Sequence, residues 1–458
     1  MEPWMFMLQF PGFTGPIEHW LDHDRYREAF DAWEDGGVRG LVIGRLYFTQ
    51  DDGTQIPAFK SDPKIYQSFG LEPGPPLPRD PEKEKRLVQL LDDAASRGWH
   101  ILTFSSIGVP TGALPRHVDP HRAVSYAASM KDLVCALPQL HGHIIDGPGE
   151  NHYELGFHHG GELFEIRDEV RATWSHLGVD IDRAERGMNH LKKSFHELTP
   201  SRVRYHATGG MLSCLDLFDL DEDALYWLRT RRRFTLDFLR TIRSQIDKLD
   251  LKVQIGGIPR TATFSPLTGQ DYHELGRTLD YVFPKHYFWH RGFDGMYGTI
   301  ARWVTTLSQW NPSLTEEDCF AVVKALFGID LPGVNSIADM EGGFPDEFFS
   351  KVVYGETRRA LEAVGDPDKV IAWVSTGRSP HGGDPMPARD LQGILSESQR
   401  AGLKRFLYHS TEDLGAAEWR VISGMCGNLW NEDPEGYWPT ATEKPDTWDG
   451  KRKHVRPR

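Results

Sequence analysis

Short apolar runs alternate with longer amphipathic stretches along almost the whole chain. Met5–Phe10 reads as a strand, and Ile17–Trp33 follows with helical spacing of its apolar residues up to the Gly36-Gly37 stop. Leu41–Tyr47 is a second strand, and a Pro/Gly-rich loop from Asp51 to Asp80 leads to a helix over Pro81–Arg97, with Pro81 suited to a first helical position. Ile101–Ser105 is strand three, Pro120–Leu137 a helix and His143–Asp146 strand four. The regularity then weakens. Residues 151–221 hold helical pieces, Leu163–Leu177 and Ile181–Leu198, but no run of the strand type.

The period resumes with a helix over Glu222–Leu249, a strand over Lys252–Arg260, a short helix over Tyr272–Leu279 and a strand over Tyr281–Tyr287. Helices fill much of Gly298–Leu326 and Pro345–Val364, with an extended piece predicted at Gly333–Asp339 between them. Val370–Ser375 and Phe406–Ser410 are the last strands, followed by helices over Leu391–Ala401 and Ala416–Cys426. Eight strands, each followed by helix, are the period of a closed (β/α)8 barrel in the α/β class. No GxGxxG turn follows the first strand, which argues against an open dinucleotide-binding sheet. The expected organisation is a barrel over residues 1–430, a long insertion at 151–221 on the active-site face after strand four, and a tail at 431–458.

Composition narrows the function classes. The net charge of −14 argues against a phosphate-backbone partner, and the one basic cluster, Arg229-Thr230-Arg231-Arg232-Arg233, reads as the solvated face of a helix. The 4 cysteines are far apart and form no CxxC pair, so neither a zinc knuckle nor a disulfide framework is expected, and a reducing, cytoplasmic setting fits. The amino terminus is broken too early by Pro11 and Gly12 for a signal peptide, and no run approaches the roughly 18 apolar residues of a membrane helix. With 14 Trp and 14 Tyr there are enough rings to fill a core and leave some to stack on sugar faces.

In a parallel barrel the chemistry gathers where the strands end. The residues there are Gln9, Arg45, Tyr47, Ser105, Ser106, Asp146, Glu150, Arg260, Lys285, His286, His290, Asp294, Arg378, His381, Asp384, Tyr408 and His409. Glycoside cleavage needs one protonated acid for the leaving oxygen and one carboxylate as nucleophile or base. Asp146, Glu150 and Asp294 are the catalytic candidates, with Glu341 behind them. Arg45, His143, Arg260, Lys285, His286, Tyr287, His290, Arg378 and His409 are candidates for holding substrate. Arg260 and Arg378 suit a carboxylate or sulfate on an acidic sugar, and Tyr287, Trp289, Trp373 and Tyr408 suit a pyranose face.

In these features the chain resembles the broad superfamily of (β/α)8 glycoside hydrolases, whose acids stand near the ends of strands four and six or seven. The resemblance covers roughly residues 3–430 as architecture and strand four as motif. Glu150 precedes Asn151, and strand seven ends in Ser375-Thr376-Gly377-Arg378, which departs from the paired-Glu pattern. An Asp on strand four with a second on strand six, as in α-galactosidase-like barrels, matches Asp146 and Asp294. The resemblance implies a carbohydrate substrate and no cofactor.

Two other classes compete. A metal-dependent barrel hydrolase or deacetylase would use His143, His286 and His290, drawn from 20 histidines, although no HxH pair on strand one and no HExxH helix is present, so no metal is expected. A carbohydrate-binding barrel without catalysis is the third.

Overall fold

A computed structural model of the chain describes residues 1–7, 21, 26–44, 46–50, 52–105, 120–147, 152–156, 161–289, 295–341, 345–375, 388–409 and 414–430. Eight parallel strands run in order around its centre: β1 (Glu2–Met7), β2 (Gly40–Ile43), β3 (His100–Ser105), β4 (Gly142–Asp146), β5 (Gln254–Ile258), β6 (Tyr281–Val282 and Lys285–His286), β7 (Ile371–Val374) and β8 (Arg405–Tyr408). Each pairs with its neighbours in sequence, and β1 also pairs with β8 through Trp4↔Leu407 and Met5↔Tyr408. The circle closes at β6. Its first segment pairs with β5 through Gly256↔Tyr281, and its second pairs with β7 through Trp373↔Lys285. Pro284 has no N–H to offer between them, yet its carbonyl accepts the Trp373 amide at 2.9 Å, so the break costs little and the sheet is a (β/α)8 barrel.

Alternation along these strands sends one set of side chains inward. Trp4, Phe6, Val42, Leu102, Phe104, Ile144, Ile258, Phe283, Tyr287, Ile371, Trp373 and Leu407 form a core of their own inside the barrel, separate from the larger one between strands and helices. Aromatic residues are too large to meet across such a space unless others shrink. A Cβ at Gly40 would lie 2.1 Å from the Trp4 ring, and one at Gly256 would lie 2.7 Å from Phe283.

The helices obey ordinary end rules. Asp221 accepts the Ala224 amide at 2.7 Å and starts the 25-residue helix Glu222–Ile246, whose apolar face carries Trp227, Phe234, Phe238 and Ile242. That helix packs on Pro120–Ala136 and on Ile181–His196, where Ala184, Met188, Leu191 and Phe195 recur at helical spacing.

Several bounds differ from expectation. β1 begins at Glu2, because Pro3 at the start of a strand needs only its carbonyl, which accepts the Arg39 amide. β2 ends at Ile43, and Tyr47 belongs instead to a small antiparallel hairpin, Tyr47–Thr49 with Gln55–Pro57. The stretch expected as loop to Asp80 also carries helix Pro63–Ser68, opened by Asp62 and Pro63. Two helices, Pro200–His206 and Gly210–Phe218, add to the segment after β4. The piece expected as extended at Gly333–Asp339 holds helix Ile337–Glu341, where the Asp339 amide donates to Ser336 Oγ at 3.1 Å and the Asp339 carboxylate accepts the Asn335 amide at 2.9 Å.

A second insertion, which the period alone concealed, follows β6. Met296–Trp310 and Glu316–Phe327 precede the helical run Asp346–Phe348, Phe349–Val353 and Tyr354–Val364 that leads back to β7. The two insertions pack together. Asn311 accepts the Leu198 amide at 3.1 Å and donates to the Phe195 carbonyl at 2.8 Å, Phe195 meets Trp303 edge-on at 5.5 Å, and Arg204 pairs with Asp318 at 2.9 Å.

Candidate active site

β4 carries Asp146 at its last position, in register with Ile258 of β5. Since Ile144 belongs to the barrel interior, Asp146, two residues on, points to the mouth, and it remains 35% exposed there. β6 has the same phase. Phe283 and Tyr287 line the interior, so Lys285 between them turns inward, and its Nζ lies 3.6 Å from Asp146 Oδ1 with the lysine side chain only 5% exposed. Two strands not adjacent in the sheet thus bring an acid and a base together over the tip of β5.

Arg260, two residues past Ile258, is buried on the same side, with its guanidinium 5.9 Å from the centre of the Tyr153 ring. Burial pushes the Tyr287 hydroxyl well above its ordinary range; the charge of Asp146 adds to this and that of Arg260 opposes it. Both charges therefore act on one phenol. Beside them lies a buried cluster of rings. Trp373 meets Phe6 at 5.0 Å, Phe104 at 5.5 Å, Tyr287 at 5.8 Å and His409 at 5.3 Å, and His409 meets Tyr287 at 5.3 Å.

The expected site residues divide by strand face. Asp146, Arg260, Lys285, Tyr287 and His409 converge at the mouth. His143 does not, because it sits one residue out of phase: its Nδ1 lies 2.7 Å from Thr103 Oγ1 and its ring packs on Tyr126 of helix Pro120–Ala136. His286 is likewise out of phase with Lys285 and packs against Phe288 in the helical layer. Tyr408 is fully buried on the outward side of β8, and Trp289 packs on Phe348 and Phe349, so neither is a rim platform. Glu341 accepts a hydrogen bond from Tyr297, whose amide donates to the Phe288 carbonyl just past β6. Arg45, Glu150, His290, Asp294 and Arg378 lie outside the described residues, as do Gln9, Ser106, His381 and Asp384.

Tyr153 is a member that pattern reading missed. It stands in the irregular segment after β4, packs on Phe264 at 5.5 Å, and its carbonyl accepts the Trp303 indole N–H at 3.0 Å. No periodic signal marks it. The basic cluster is also not wholly solvated, since Arg231 is buried, stacks over Trp227 and donates to the His152 carbonyl.

Burial lowers the pKa of His286 to about 3, and burial followed by the nearby His141 lowers that of His100 to about 4. Both are below the unfolded value near 6.5, so the unfolded chain binds more protons in that window, and stability is complete above it and falls on acidification. We expect a loss of about 3–4 kcal/mol between pH 7 and 5, read from urea midpoints. Glu356, whose pKa burial raises, acts in the opposite sense as pH rises above the ordinary carboxyl range. His286→Phe should remove about half of the slope; an undiminished slope would reject the assignment.

No protein-family model and no curated protein matches the sequence. Solved structures to which the chain is similar include the glycoside hydrolase domain of PgaB (BpsB) from Bordetella bronchiseptica, at 11% identity and TM-score 0.44, covering 92% of this chain and 98% of that one. GH5_18 from Streptomyces cattleya in complex with GlcNAc is similar at 12% identity and TM-score 0.42, over 94% and 81% of the chains. The spore cortex-lytic enzyme SleL from Bacillus megaterium QM B1551 is similar at 10% identity and TM-score 0.37, over 92% and 73%. The barrel itself is shown by the parallel pairing of its strands.

Proposed function

We propose that the protein is a glycoside hydrolase in which Asp146 is the base or nucleophile and a second carboxyl, drawn from Glu150 and Asp294, is the proton donor. The observation that carries this reading is the placement of Asp146 at the inward tip of β4, against Lys285 of β6 and on the side of the barrel where Tyr287, Trp373 and His409 pack together. The partly exposed ring of His409 edges that cluster, and the Asp146 carboxylate is placed to act on an anomeric carbon or on a water next to it. Lys285 orients the Asp146 carboxylate, and Arg260 with Lys285 suits a sugar bearing a carboxylate or sulfate. The segment 151–221 walls one side of the mouth in this reading, beginning with Tyr153 beside Arg260.

The competing metal reading loses support from the strand phase, because His143 and His286 both face the helical layer. Among the described residues no group of three His, Cys, Asp or Glu side chains is arranged to hold a metal ion, and no helix is long and apolar enough to cross a membrane.

A panel of chromogenic neutral and uronic glycosides tests the activity, and dialysis against a strong chelator tests the mechanism. Carboxyl-mediated proton transfer needs no Lewis acid, so turnover should survive chelation and show a bell-shaped pH profile. Loss on chelation with recovery on adding zinc would restore the metal reading. Absence of turnover on the whole panel, with sugar binding retained, would favour the non-catalytic class.

A further inference from the structure

β5 ends at Ile258, and the four residues Arg260–Thr263 that follow are held by side chains instead of a ladder. The Arg260 amide donates to Gln270 Oε1 at 3.0 Å, and its carbonyl accepts the Tyr272 hydroxyl at 2.5 Å. Thr261 Oγ1 donates to the Lys285 carbonyl at 2.8 Å, which ties the loop to the tip of β6. Thr263 Oγ1 donates to the Phe327 carbonyl at 2.7 Å, and the Thr263 amide donates to Glu356 Oε2 at 2.8 Å.

Glu356 lies in helix Tyr354–Val364, outside the barrel, and is buried; its other oxygen meets Arg359 at 3.0 Å, one turn along. Burying a carboxylate is costly, and a buried acid whose contacts are one loop amide and one arginine acts chiefly on that loop. We propose that Glu356 is a positioning residue, which fixes the Arg260–Thr263 loop and through it sets Arg260 and Lys285 against Asp146. The inference rests on the glycosidase reading only for what the positioned groups then do.

The positioning itself is measurable without a substrate. Trinitrobenzenesulfonate labelling of the folded full chain, mapped by peptide mass, reports how often Lys285 opens to solvent, and the half-exposed Lys404 serves as the reference. In Glu356→Ala the rate at Lys285 should rise about tenfold while Lys404 is unchanged. Glu356→Gln retains an acceptor for the Thr263 amide and should restore protection. If Glu356→Ala fails to fold, Thr261→Val cuts the loop's link to the Lys285 carbonyl in an isosteric side chain and should raise Lys285 labelling severalfold. On a glycoside that the wild-type chain hydrolyses, kcat should fall about tenfold in Glu356→Ala and recover in Glu356→Gln. Unchanged Lys285 labelling in folded Glu356→Ala, or an equal rise in Glu356→Gln, overturns the proposal. A labelling change in a chain that hydrolyses no glycoside supports the positioning role and rejects the glycosidase reading.

Discussion

Asp146→Asn should fold as the wild-type chain does and lose about 10²–10⁴ of kcat on whichever glycoside is turned over. The amide matches the carboxylate in shape, so the end of β4 and its register with Ile258 are retained. What changes is the charge facing Lys285 and the capacity to accept a proton or attack a carbon. The amide oxygen still faces Lys285, but that ammonium is only 5% exposed and loses a charge partner, so a stability cost of about 1–3 kcal/mol is expected, reduced by the 35% exposure of the Asp146 side chain. Far-ultraviolet circular dichroism and a urea midpoint near the wild-type value separate a chemical defect from a folding one. A well-folded Asp146→Asn protein with near-native turnover would eliminate Asp146 as the reacting carboxylate.

The largest stability effect is expected at the pair that ties the two insertions together. Glu154, 2% exposed, is held by Arg302, whose Nη2 lies 2.6 Å from Oε1 and whose Nε also contacts Oε2, and by the Thr299 hydroxyl at 3.1 Å. Removing the arginine leaves a buried carboxylate without its charge partner Arg302, so Arg302→Met should cost about 3–5 kcal/mol. Adding Glu154→Gln removes the stranded charge, and the double variant should recover most of that loss. Urea titration of both variants decides the matter. A single variant within about 1 kcal/mol of wild type would mean that Glu154 is solvated and that the pair does not join the segments.

Strand-four Asp146 was legible because a buried parallel strand reads as an apolar run closed by a polar residue, and His143-Ile144-Ile145-Asp146 has that form. The second insertion was hidden because its helices share the amphipathic spacing of barrel helices, so the helical stretches expected over Gly298–Leu326 and Pro345–Val364 gave no sign of which belongs to the barrel period. Tyr153 carried no signal at all, since its role comes from Arg260, Phe264 and Trp303, residues far along the chain.

The sequence by itself determined the number and order of the barrel strands, because apolar runs, amphipathic spacing and helix-end residues are local and each element answers to its own side chains. Only the tertiary structure decided which side of each strand faces the mouth. A strand buried on both sides shows no polar alternation from which to read its phase, and a shift of one residue exchanges His286 for Lys285 or His143 for Asp146. The phase is set by side chains on adjacent strands: Gly40 gives way to Trp4, Gly256 gives way to Phe283, and Pro284 splits β6 between two partners. That packing places the Lys285 ammonium 3.6 Å from the Asp146 carboxylate, a contact between distant segments that no local pattern encodes.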